Sequence, residues 1–344
     1  MHTIIDKQEF YTKIFSYLYS ELEVLPFDNK EYYSLINRYK EPHRYYHNEN
    51  HLIDCLQKSI ELDTVYDRVL NILVSIYHDA VYNPVRDDNE ERSAELYDFS
   101  CVIDKKIIDK ELVRNLILNT KSHKEINTFN KIDMSILRTD NVLELLEYEN
   151  NIFKEYQFTN LKTYIDKRIE FLSNDEWITN KNRDILIDYI TNRKYNIGIY
   201  CGSFNPFHVG HYNILKQAEK YFDKVIIAIG YNFKKPMPKD YRYETLKNLT
   251  LPYNEVIQYF SLTSELCADY TLNAKNIEVT LIRGIRNNSD LQAEQNIRPV
   301  LKDKDDDFKT VYFLCDSKYQ HVSSSMIREL REYNSDVDKY INFI

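Results

Sequence analysis

Two groups of residues in this chain have the types and spacing to do chemistry. The first lies in residues 202–211, GSFNPFHVGH. It follows a short apolar, β-branched run at 197–200 and leads into a segment with helical spacing, so it reads as a strand-to-helix turn. Such a turn sits where an open α/β sheet binds ligands, because loops above the strand ends meet helix N-termini carrying partial positive charge. His208 and His211, three apart at the start of the helix, can reach one common group, and Gly210 lets the backbone approach closely. The second group is His43, His47, His51, His78, Asp79, His123 and Asp133. The four-residue spacing of His47 and His51 predicts that both lie on one helical face. His78 and Asp79 end an apolar helical stretch at 69–77, so a buried element presents both. A buried His–Asp pair needs partners, and a divalent metal is a natural one. Imidazole and carboxylate donors suit Mn2+, Fe2+ or Zn2+, on which a water becomes a nucleophile near neutral pH.

The elements that must hold these groups differ between the two parts of the chain. All five glycines (Gly198, Gly202, Gly210, Gly230 and Gly284) lie beyond residue 197. A glycine-free stretch of that length does not suit tight hairpins, whose turns need positive φ angles, but it suits helices joined by polar turns. Apolar residues recur there at helical intervals, at 69–77 and again at 112–117. Past residue 196 the pattern changes to short apolar runs at 197–200, 225–229, 279–282 and 311–314, separated by helical segments at 212–221 and 323–333. Strands alternating with helices predict a parallel sheet with crossover helices. Two domains are therefore expected, all-α over residues 1–192 and α/β over 193–344, joined by a short polar link at 191–196 (TNRKYN).

Bulk properties narrow the function classes. Hydrophobic residues at 43% and charged residues at 29% describe an ordinary globular protein. The formal net charge of -9 gives no electrostatic reason to expect nucleic acid or an anionic membrane as partner. No window approaches the roughly 20 apolar residues of a membrane span, and the acidic N-terminus does not read as a signal peptide. Five cysteines (Cys55, Cys101, Cys201, Cys267 and Cys315) are scattered without CxxC spacing, which predicts reduced thiols and a cytoplasmic setting.

Residues 202–211 resemble the HxGH nucleotidyltransferase superfamily, and across residues 195–331 the chain is similar to phosphopantetheine adenylyltransferases. The KKPM segment at 234–237, RGIR at 283–286, DLQAE at 290–294 and VSSS at 322–325 carry the resemblance. It implies a Rossmann-like nucleotidyltransferase fold in which His208 and His211 stabilise the α-phosphate of ATP. Lys234 would contact the phosphates of both substrates, Arg283 the acceptor phosphate and Arg286 the ATP phosphates. Glu294 would lie on the adenosine side. Gly202, Ser203 and Phe204 of the turn, with Ser323, Ser324 and Ser325, would bind ATP, accompanied by Mg2+. That family usually has threonine at the position of His208, and GSFNPFHVGH is also similar to nicotinamide mononucleotide adenylyltransferases. Two acceptors therefore stay open, 4'-phosphopantetheine and nicotinamide mononucleotide. The related enzymes are hexamers, so a homo-oligomer is also implied as an option.

Residues 30–175 resemble metal-dependent phosphohydrolases of the HD superfamily. The resemblance runs through EPHRYYHNENH at 41–51, YHDAVY at 77–82, NEERSA at 89–94, TKSH at 120–123 and DMSIL at 133–137. It implies an HD-type helical domain with His51, His78, Asp79 and Asp133 as metal ligands. His47 would protonate the leaving oxygen. Glu90 and Glu91 would stand behind the ligands or face the substrate, and His123 would be a further ligand or a phosphate contact. The combined expectation is a bifunctional enzyme, transferring AMP from ATP to a small phosphorylated acceptor and hydrolysing a nucleotide or phosphate ester. A helical domain that only binds a nucleotide for regulation is the alternative from a different class.

Overall fold

The computed structural model describes residues 6–22, 28–100, 108–230, 243–271, 276–303 and 309–342. The chain divides into two compact units, residues 1–155 with 169–187, and residues 156–168 with 188–344. Among the described residues, no helix is long and apolar enough to cross a membrane.

The first unit is helical: α1 (Lys7–Leu22), α2 (Asn29–Arg38), α3 (Glu49–Ile60), α4 (Val65–Tyr77), α5 (Asn89–Ser100), α6 (Lys110–Asn119), α7 (Thr128–Asp133) and α8 (Val142–Glu155). Polar side chains start these helices by accepting from the first-turn amides: Asp28 from Glu31, Asn48 from Asn50, Thr64 from Asp67, Asp109 from Glu111 and Asn127 from Asn130. Such caps satisfy otherwise orphaned N–H groups and need no glycine. α4 is the central helix. Its nine residues from Val69 to Tyr77 are all buried, and it packs on α3, α5, α6 and α7. Its buried end delivers His78 and Asp79 into the unit's interior.

Two further helices change unit along their length, α9 (Leu161–Asn174) and α10 (Asn180–Asn192). The second unit then builds β1 (Tyr195–Gly202), α11 (Val209–Ala218), β2 (Lys224–Gly230), β3 (Glu255–Tyr259), α12 (Thr263–Thr271), β4 (Ile277–Ile285), α13 (Asn288–Lys302), β5 (Thr310–Leu314), α14 (Ser324–Glu332) and α15 (Asp338–Ile341). The five strands form one sheet in the order β3-β2-β1-β4-β5, and every pair is parallel. Gly198 on β1 pairs with Val225 on β2 and with Thr280 on β4. The chain winds outward from β1 on both sides, so the order reverses between β1 and β4. A crevice for ligands opens at such a reversal, beyond the carboxyl ends of the strands.

Four strands fall on the apolar runs at 197–200, 225–229, 279–282 and 311–314. β3 was not expected. It is an edge strand, EVIQY, in which only Glu255 and Val256 are buried and the apolar run is only Val256–Ile257, too short to read as a strand.

Candidate functional site

In the helical unit, His51 on the first turn of α3, His78 and Asp79 after α4, and Asp133 at the end of α7 converge. His51 Nε2 lies 3.2 Å from His78 Nε2, 3.1 Å from Asp133 Oδ1 and 3.7 Å from Asp79 Oδ2. His78 Nε2 lies 3.2 Å from Asp79 Oδ2. Its other ring nitrogen, Nδ1, is 3.0 Å from the Ser75 carbonyl, which can only accept, so Nδ1 carries a proton. A fixed Nδ1–H turns Nε2 toward the carboxylates, the arrangement that orients metal-binding imidazoles, and a bound cation would take the place of the Nε2 proton. The charges agree. Burial opposes ionisation throughout, yet the Asp79 and Asp133 carboxylates push the His78 imidazole up to about 9. The surrounding histidines hold both carboxylates well below their usual range. Two ionised carboxylates and two close Nε2 atoms make a site that calls for a cation, and the donor set fits a first-row divalent metal.

The structure places the remaining expected residues around this centre. His123 bonds the second oxygen of Asp133 at 2.9 Å and has φ 50°, with its carbonyl held by the Trp177 indole. Glu90 is half-buried on the first turn of α5, and burial first, then the Asp79 charge, raise its pKa. Glu91 is paired with Lys121 at 2.6 Å. His43 turns to the Tyr82 carbonyl. His47 departs from expectation. Asn48 caps α3 in extended backbone and the helix begins at Glu49, so His47 precedes it rather than sharing a face with His51. The two rings still meet edge to face, with centroids 5.8 Å apart. Sequence reading missed Cys55, one turn beyond His51, which joins His51, His78 and Asp133 as four donor atoms within 4.8 Å of one another. Its spacing was the available signal.

In the α/β unit, a cavity of about 330 Å3, within the usual range for small-molecule sites, opens above β1 and β4. Its floor is the turn after β1, where Phe204 takes φ 43°, a left-handed conformation rare outside glycine. His208 is the N-cap of α11, and its Nδ1 accepts from the Gly210 amide at 3.1 Å. The ring proton therefore sits on Nε2. His211 stacks on His208 with centroids 3.7 Å apart, and its buried Nδ1 has no hydrogen-bond partner among the described residues. Burial, with Arg286 adding, lowers His208 to about 4. Burial, His208 and Arg286 hold His211 well below its usual value. Both rings are neutral hydrogen-bonding groups at pH 7.

The cavity is also lined by Gly202, Arg283, Arg286, Glu294 and Ser323–Ser325. Arg283 pairs with Glu294 at 3.1 Å. Arg286 is gripped by Asp290, with Nε at 2.8 Å from Oδ2 and Nη2 at 2.9 Å from Oδ1. Ser323 caps α14, accepting from the Met326 amide, while Ser324 donates to the Pro206 carbonyl at 2.9 Å. Two helix N-termini and two guanidiniums thus converge on one cavity, a setting for phosphate groups.

Residues 199–330 match the cytidylyltransferase-like family. A phosphopantetheine adenylyltransferase of Mycoplasma capricolum is 37% identical over 142 residues, covering 40% of this chain and 97% of that protein. One from Streptococcus sanguinis is 30% identical over 149 residues, 42% of this chain and 88% of its own length. The C-terminal part of this chain belongs to the phosphopantetheine adenylyltransferase family. Among solved structures, a bifunctional NMN adenylyltransferase/ADP ribose pyrophosphatase from Francisella tularensis covers 43% of this chain and 45% of its own, at 19% identity and a TM-score of 0.33.

Within this phosphopantetheine adenylyltransferase domain, the position of His208 has a structural meaning. It is an N-cap, where threonine is also favoured, and the imidazole Nδ1 does the work of a threonine hydroxyl. The KKPM segment, with Lys234, lies outside the described residues. Arg328 was not singled out in the sequence, and Asp290 entered only as the first residue of DLQAE, without a role of its own. Arg328 donates to the Asn205 carbonyl and to Ser325 Oγ, tying α14 to the turn after β1. The i, i+4 spacing of Asp290 after Arg286 was the available signal.

Proposed function

We propose that the C-terminal domain transfers AMP from ATP to 4'-phosphopantetheine, giving dephospho-coenzyme A and pyrophosphate. The observation that carries this reading is the pairing of His208 and His211 with Arg283, Arg286 and the α14 N-terminus around one cavity, in a domain of this family. An acceptor phosphate oxygen forms the new bond to the α-phosphorus, and the bond to the pyrophosphate oxygen breaks with its electron pair. Little covalent help is needed, so in-line positioning and charge neutralisation carry the catalysis. The neutral imidazoles donate hydrogen bonds to the α-phosphate, and Arg286 and Ser323–Ser325 hold the departing phosphates, whose charge Mg2+ would help neutralise when bound with ATP. Arg283 takes the acceptor phosphate. Purified protein is incubated with ATP, Mg2+ and either 4'-phosphopantetheine or nicotinamide mononucleotide. Pyrophosphate release with the former is expected. Turnover of nicotinamide mononucleotide alone would replace the acceptor, which is the alternative that His208 favours.

For the helical unit we infer a metal-dependent phosphohydrolase, carried by the convergence of His51, His78, Asp79 and Asp133. When bound there, Mn2+, Fe2+ or Zn2+ would supply an activated water as nucleophile. The chain's own residues hold the cation and, through His47, place a proton near the leaving oxygen. Metal content and ester hydrolysis are measured for the wild type, His78→Ala and Asp79→Ala. Loss of both properties in each variant is expected. Hydrolysis that survives both substitutions, or is absent from the wild type, would leave a regulatory binding module as the better reading.

A further inference from the structure

Glu155 stands where a carboxylate is intrinsically disfavoured. It is the last residue of α8, at the negative end of the helix dipole, and it is 1% exposed. Five donors compensate. Its Oε1 accepts from three consecutive amides, Tyr45 at 2.8 Å, Tyr46 at 2.7 Å and His47 at 2.9 Å. Its Oε2 accepts from His47 Nδ1 at 2.7 Å and from the Tyr82 hydroxyl at 2.6 Å. Three successive amides around one anion form a backbone nest. The carboxylate therefore fixes both the backbone that carries His47 and the orientation of its ring, whose other face stacks on Tyr82 with centroids 4.5 Å apart.

We propose that Glu155 is a positioning residue, the partner that keeps the His47 proton on Nδ1 and so reserves Nε2 for proton transfer at the helical-unit site. The proposal rests on the hydrolytic reading of that unit. An ionised carboxylate only accepts, so the bond at 2.7 Å places a proton on Nδ1. In the charged imidazole, Nε2–H then points away from Glu155 and is available to a substrate. When an ester P–O bond breaks, its electron pair goes to the leaving oxygen, which takes the Nε2 proton. Water forms the new P–O bond, and the proton it releases restores the imidazolium. The products are an alcohol and phosphate. A carboxylate behind a histidine plays this orienting and charge-stabilising part in other acid–base pairs.

The test uses the full chain, loaded with Mn2+, and Glu155→Gln. A glutamine oxygen can still occupy the nest, while its amide donates to Nδ1 and forces the proton onto Nε2 of a neutral ring. Turnover is measured on p-nitrophenyl phosphate, whose phenolate leaves without a proton, and on glycerol 2-phosphate, whose alkoxide needs one. The substitution is expected to slow the alkyl ester at least tenfold more than the aryl ester. In a His47→Asn background it should add nothing further. Nitrogen-15 spectra of labelled histidines should show His47 losing its Nδ1 proton and keeping only the one on Nε2. Tyr82→Phe, which removes one donor and leaves the nest intact, should shift the ester ratio the same way by a smaller factor. Equal losses on both esters with an unchanged tautomer would overturn the positioning role alone. Hydrolysis of neither ester by the wild type would overturn the hydrolytic reading, and the proposal with it.

Discussion

Among the described residues His211 keeps a buried Nδ1 without a partner, while its ring packs on His208, Phe204 and Phe207. On the proposed reaction its bond to phosphate is made most strongly in the transition state. His211→Ala should therefore lower kcat by about 10^2–10^3 and leave the KM for ATP within a few-fold. Steady-state kinetics showing only a raised KM would contradict this. His208 carries a second prediction, on stability. Its folded pKa of about 4 lies below the ordinary histidine value of 6.5. Between those values the unfolded chain binds a proton that the folded chain does not, so stability falls as pH drops from about 6.5 to about 4. At pH 5 the difference is roughly 2 kcal/mol. Asparagine also caps helices and does not titrate, so His208→Asn should lose less melting temperature between pH 7.5 and pH 5 than the wild type does. Equal losses would refute the sign. Spacing made His208, His211, His78 and Asp79 legible in the sequence, because i to i+3 and adjacent residues report on one helix. Glu155 was not legible, since its partner His47 is 108 residues away.

At the scale of elements, strands were readable where burial on both faces demands a continuous apolar run, as in β1 and β2. β1 also contains Gly198, which allows close packing rather than a turn. A Cβ there would stand 2.9 Å from the Phe222 ring and would collide with Ile282 on β4. Ile282 is fully buried in the sheet core, so moving its Cδ1 aside disturbs close packing. Gly198→Ala should destabilise the α/β unit by about 1–3 kcal/mol, measured by denaturant titration, with the overpacked sheet as the cause. A neutral effect would mean that Phe222 swings out freely. Helix starts are less legible than helix bodies, because a cap residue can interrupt helical spacing. The His47–His51 spacing looked continuous, and only the cap geometry of Asn48 shows that the helix begins after His47.

At the scale of the molecule, the glycine distribution separated an all-α from an α/β part because parallel strands and phosphate turns need close backbone approach. It could not show that residues 156–168 pack with the α/β unit, since helical periodicity does not say which core a helix serves. Lys224 provides the physical link. It is 1% exposed at the start of β2, donates to the carbonyls of Gln157 and Thr159, and lies 3.1 Å from Glu255. Lys224→Met removes the cation and leaves Glu255 and two carbonyls buried without it, which costs about 3–5 kcal/mol. The α/β transition in calorimetry should fall by roughly 10 °C. The helical unit has its own core, and on the proposed reading it also holds a metal site, so Zn2+ or Mn2+ at about 100 times its Kd should raise the other transition, stabilising that unit by about 2.7 kcal/mol. Calorimetry of the full chain, wild type and Lys224→Met, with and without metal, separates the two effects. Each change should move one transition and leave the other within about 2 °C, a margin set by the independence of sites that share no donor groups. If both transitions move together under either change, the two units unfold as one cooperative body.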